Sequence, residues 1–170
     1  MSAEPSSAGD VLRLASIDLD VARALLARHG LSLEIVADGE PIPGSYWGDT
    51  EAGVISHCVY ARSDTPVHSL LHEACHLIVA PREKIATIHT DASDSAAEED
   101  ATCYLQIVLG DALPGVGRAR IADDMDRWGY TFRLGSARAW FENDAEDARA
   151  WLVERCLLAR DAATTIARSD

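Results

Sequence analysis

Basic residues are scarce in this chain: 15 Lys and Arg stand against 28 Asp and Glu, for a formal net charge of −13. That balance argues against a nucleic-acid partner, whose phosphates call for a basic surface. It argues equally against an anionic membrane surface. No apolar run reaches the length of a membrane span. The first ten residues, MSAEPSSAGD, lack a basic stretch followed by an apolar one, so no secretory signal is read there and the segment is expected to be a disordered tail. The four cysteines (Cys58, Cys75, Cys103, Cys156) contain no Cys-x-x-Cys pair. Their wide spacing points to reduced, buried thiols rather than a disulfide framework. Internal repeats are absent too, as is low complexity beyond residue 10. What is left is one domain over 11–170, expected in the cytoplasm, with 48% apolar residues to build a core.

Start and stop signals divide the chain. Ser16-Ile17-Asp18 can cap a helix that runs to about His29 and stops at Gly30. LSLEIVA (31–37) alternates as a strand does, and VISHCVYA (54–61) reads as a second strand. Between them, residues 38–53 are rich in Gly, Pro and Asp and form a loop. Ser63-Asp64-Thr65-Pro66 opens a helix that Pro81 must close. A short strand or loop at 83–89 follows. DASDS (91–95) caps a helix over about 95–110, and further helices are expected near 116–128 and 136–142. Asn143-Asp144 then opens a long terminal helix with a stripe of Leu152, Cys156, Ala159, Ala163 and Ile166. The fold class expected is α+β, a small antiparallel or mixed sheet beside a helical C-terminal half. The four tryptophans (Trp47, Trp128, Trp140, Trp151) read as core anchors.

The chemistry lies in LLHEACHLIV, residues 70–79. His72 and His76 are four apart and share one helical face, so both imidazoles can reach one ion. Glu73, one step round, can flank that ion and accept a proton from a water. The apolar neighbours Leu70, Leu71, Leu77, Ile78 and Val79 put the histidines at least partly inside, where polar groups need partners. The alternative is a core helix whose histidines are merely hydrogen-bonded. A third ligand is available 22 residues after His76, at Glu98 or Glu99. Glu98 is preferred, since it borders the apolar stripe with Ala101, Thr102 and Leu105, whereas Glu99 shares the wetter face of Cys103 and Gln106. A solvated acidic helix start is the alternative for both. His68 reads as a polar residue of the helix's first turns, and Cys75 as a structural thiol.

His72-Glu73-x-x-His76 followed by Glu98-x-x-Ala101-x-x-Tyr104 resembles the gluzincin metallopeptidases, and within them the minimal ImmA/IrrE type. The resemblance spans roughly residues 53–109. It implies a zincin-like fold, zinc as cofactor, His72, His76 and Glu98 as ligands and Glu73 as general base. It also implies a peptide or protein substrate laid along an edge strand, here about 54–61. At the position after Ala101, where such families often carry an Asp or Asn that orients a ligand histidine, this chain has Thr102. For the oxyanion, His89, Tyr60 and Tyr104 are candidates by residue type alone.

The expected function is therefore zinc-dependent hydrolysis of a peptide bond, with Glu73 activating the zinc-bound water. Two rivals stand beside it: a zinc-bearing binding or regulatory module without catalysis, and no metal at all.

Overall fold

The computed structural model describes residues 11–45, 48–89 and 95–166. The expected tail at 1–10, Trp47 and most of the DASDS segment lie outside the described residues. Among those described, the architecture is α+β, with seven α-helices and a three-stranded mixed sheet. In chain order they are α1 (Leu19–Ala27), β1 (Ser32–Ile35), β2 (Gly53–Ile55), β3 (Cys58–Ala61), α2 (Val67–Val79), α3 (Arg82–Ile85), α4 (Ala96–Leu109), α5 (Gly117–Trp128), α6 (Ala137–Asn143) and α7 (Glu146–Glu154). None of the described helices is long and apolar enough to cross a membrane.

The segment expected as one strand at 54–61 is a hairpin. Ser56 takes a left-handed φ of +52° and reverses the chain, so Val54 pairs with Val59 and Ile55 with Cys58. β3 lies in the middle, antiparallel to β2 and parallel to β1. The outer side of β2 is covered. Val54 N–H donates to the Gly44 carbonyl at 3.4 Å, and Ser56 N–H to Ile88 O at 2.8 Å. The loop lies so close that a Cβ on Gly53 would stand 2.1 Å from Pro43 O, which explains glycine at that position. The stretch 83–89 is not a strand. Arg, Glu and Lys behind Pro81 form the short helix α3, and the chain touches the sheet at a single bridge, His89 to Ile55.

α2 is buried on most of its surface: Val67, Leu70, Leu71, Ala74 and Cys75 have no exposure, and α4 packs across it. Its start departs from the expected cap. Pro66 stands at the N-cap with no side-chain hydrogen bond, and Thr65 Oγ1 instead accepts from Arg62 N–H at 2.9 Å. The first helical N–H is answered by the N-terminal segment: Val67 N–H donates to Leu12 O at 2.8 Å, filling the role of a cap. The same segment donates from Leu14 to Thr65 O and from Ala15 to Ser63 O, both at 2.9 Å. α4 begins as read, with Ser95 Oγ accepting from Glu98 N–H at 3.1 Å.

The long terminal helix is cut short. α7 ends at Glu154, and Cys156 takes φ +59°. Three arginines draw the following carbonyls away from helical pairing. Arg118 donates to Ala163 O and Thr165 O, Arg138 to Ile166 O and Arg149 to Arg160 O. Ile166 is still buried, while Cys156 is exposed.

Asp124, with no exposure, joins these parts. Its carboxylate accepts from Leu12 N–H at 2.8 Å, Arg120 Nε at 2.9 Å and Arg127 Nη1 at 3.1 Å. It thereby ties α5 to the segment that caps α2. Both arginines are partly exposed and can return to water, so Asp124→Ala chiefly orphans the Leu12 amide and removes a charged acceptor. The expected loss is about 2–3 kcal/mol, read as a lower urea midpoint. A loss under about 0.5 kcal/mol, the scatter of a surface substitution, would contradict this role.

Candidate metal centre

α2 places His72 and His76 one turn apart, and their Nε2 atoms point at each other across 3.0 Å. The rings stand edge to face, with an interplanar angle of 86°. From α4, the Glu99 carboxylate meets both: Oε1 is 3.2 Å from His72 Nε2 and Oε2 is 3.4 Å from His76 Nε2. Donors that share one tetrahedral zinc at 2.0–2.1 Å stand about 3.3–3.4 Å apart. The observed triangle matches that spacing with only small adjustment. These residues therefore fit a divalent ion, and His72, His76 and Glu99 would hold it.

The tautomer required for coordination is built in. Gln106 Oε1 lies 2.9 Å from His72 Nδ1, and Gln106 Nε2 donates to His68 O at 2.8 Å. Because the amide nitrogen is committed to a carbonyl, the amide oxygen faces the ring. Nδ1 of His72 must then carry the hydrogen, leaving the Nε2 lone pair free for a metal. Thr102, the residue expected to be a weak orienting group, turns to its own helix and donates to Glu98 O at 2.8 Å. The orienting group comes from one turn further along α4.

Charge is concentrated here. Burial alone would lower the pKa of His72, but the groups around it, the Glu99 carboxylate among them, outweigh this and hold it well above the ordinary value. Cys103, buried on α4, has its thiol pKa raised by burial and lowered in part by its hydrogen bond to His72. Glu51, in the loop before β2, is raised by burial, against the opposing pull of the Trp128 hydrogen bond and of His72. Trp128 Nε1 donates to Glu51 Oε1 at 2.7 Å. Tyr130 presents its ring edge to His72 at 5.6 Å, and burial pushes its hydroxyl up to about 12. It stays a proton donor throughout the ordinary pH range.

Potential ligand atoms also lie within 4.8 Å of one another in His72, Glu73 and His76, and in His72, Glu99 and Cys103. Glu98, the carboxylate preferred from the sequence, belongs to neither. The residues one turn apart from Glu99 explain why: Glu99, Cys103 and Gln106 form a single polar face of α4, and that face is turned to α2. His68 lies in the first turn of α2, as expected, and is wholly buried. Its Nδ1 lies 3.4 Å from Tyr130 Oη, and burial, with His72 and Arg13, lowers its pKa to about 3. It is a neutral member of the wall. His57 is exposed in the hairpin turn and His89 is exposed at its bridge to Ile55. Tyr104 stacks on Phe141 at 4.4 Å in the core, and Tyr60 is half-buried on β3.

Four residues at the site were not read from the sequence: Gln106, Cys103, Tyr130 and Glu51. The first two had a signal, an i, i+4, i+7 run of ligand-type side chains beginning at Glu99. The other two arrive from loops, which carry no periodicity to reveal a shared destination. No family model, curated protein or solved structure matches the chain.

Proposed function

We propose that the protein is a zinc-dependent peptidase of zincin-like design, with His72, His76 and Glu99 as metal ligands and Glu73 as general base. The observation that carries this reading is the triangle of two Nε2 atoms and one carboxylate, with sides of 3.0, 3.2 and 3.4 Å. Glu99 takes the place that the sequence reading gave to Glu98, because its carboxylate reaches both imidazoles.

A bound zinc ion supplies Lewis acidity, lowering the pKa of a water toward about 7 and polarising the scissile carbonyl. Glu73, grouped with both imidazoles, takes the proton of the attacking water and returns it to the leaving amine. Gln106 keeps His72 in the coordinating tautomer. Tyr130, protonated beside His72, is a donor for charge developing on the carbonyl oxygen. Peptide pairing along 54–61 is not part of the proposal: β3 has a neighbour on each side, and the outer side of β2 carries Gly44 and Ile88.

Three outcomes are expected. In zinc titrations the wild type binds about one ion per chain, His72→Ala, His76→Ala and Glu99→Ala each weaken binding more than about 100-fold, and Glu98→Ala stays near wild type. Loss of binding in Glu98→Ala alone would reverse the assignment. Gln106→Leu leaves the ligands in place but weakens zinc about 10–100-fold; unchanged affinity would remove its orienting role. Glu73→Gln keeps zinc stoichiometry and lowers kcat on an unfolded protein substrate by about 100-fold or more. Full hydrolysis in that variant sinks the assignment of Glu73, and zinc bound without any wild-type hydrolysis would leave a non-catalytic zinc module.

A further inference from the structure

We infer that the Cys103 thiolate is a fourth ligand of this centre and holds it closed at rest; the inference rests on the metal-centre reading above. Cys103 follows Glu99 by one turn of α4, and the ligand atoms of His72, Glu99 and Cys103 lie within 4.8 Å of one another. Cys103 is 7% exposed, so it is neither a surface thiol nor a simple filler of apolar space: it faces the polar cluster. Zinc–sulfur and zinc–nitrogen bonds of 2.3 and 2.0–2.1 Å put the two atoms about 3.6 Å apart around a tetrahedral ion. Reaching that from 4.8 Å needs a closure of about 1.2 Å at most, within reach of a side-chain adjustment. Thiolate is also a softer ligand than water and suits zinc well.

Two histidines, one glutamate and one cysteine fill four positions, as in structural zinc sites. The thiolate must then leave before a water can occupy its place beside Glu73. This separates Cys103 from Cys75, the other buried thiol, which belongs to neither group of potential ligands among the described residues. Cysteine here makes the centre regulable: whatever draws the sulfur off the metal opens it.

Cobalt(II) in place of zinc tests this. Wild-type protein loaded with about one cobalt per chain should show thiolate-to-cobalt charge transfer in the near ultraviolet. Cys103→Ser and Cys103→Ala should bind cobalt at the same stoichiometry without that absorption. In the wild type, zinc should also slow alkylation of Cys103 by iodoacetamide about tenfold or more, followed peptide by peptide by mass spectrometry. Cobalt bound without the absorption, an absorption that survives in both variants, or alkylation indifferent to zinc overturns the inference while leaving the metal centre standing. A wild type that binds no cobalt or zinc overturns the metal centre, and this inference with it.

Discussion

Two imidazole nitrogens held 3.0 Å apart inside a packed interface cannot both present lone pairs to each other. A hydrogen on one of them or a cation shared by both must lie between them, and the Glu99 carboxylate stands at 3.2 and 3.4 Å from the pair. This is the point at which α2 and α4 meet through polar groups. Elsewhere the two helices meet through buried apolar side chains, but at this point they bury Gln106 and Cys103 and largely bury both imidazoles, with the Glu99 side chain still 45% exposed at the edge. Burying such groups unpaired costs roughly 1–3 kcal/mol each or more. One N–H···N hydrogen bond serves both nitrogens and leaves the carboxylate to a second donor; a divalent cation would serve all three groups at once.

The rest of the molecule holds this interface in place. The N-terminal segment closes the open end of α2 through Val67 N–H, and Asp124 holds that segment to α5. Ser69 Oγ, on α2, accepts from Ala52 N–H at 3.0 Å and so fastens the loop that carries Glu51. Gln106 joins two successive turns of α2, one through His72 Nδ1 and the other through the His68 carbonyl. Gln106 acts directly on the orientation of the His72 ring, and the other links fix the elements that carry the cluster. That is the tolerance a metal site asks of its surroundings.

Where local chemistry decides structure, the sequence was legible. The Asp18 and Ser95 caps, the stop before Pro81, and the helices at 117–128 and 137–143 follow from capping residues and periodicity. His72, Glu73 and His76 come together because helical spacing alone brings them together. Local rules fail where distant groups compete. The 54–61 segment breaks into a hairpin at Ser56, a left-handed residue that no propensity marks. The terminal helix stops at Glu154, where Cys156 turns left-handed, and arginines 118, 138 and 149 hold the chain beyond it through the carbonyls of residues 160–166. The choice between Glu98 and Glu99 turned on the assumption that the apolar face of α4 is the one that meets the site. In this interface the polar face of Glu99, Cys103 and Gln106 is the one turned toward α2.

The central claim is that one divalent ion sits among His72, His76 and Glu99. Anomalous diffraction at the zinc absorption edge, from crystals of the wild-type protein grown with zinc, tests it most directly. The account predicts a single strong peak about 2.0–2.2 Å from His72 Nε2, His76 Nε2 and a Glu99 carboxylate oxygen. No peak between the two imidazoles, or a peak held by Glu98 with Glu99 turned away, would contradict it.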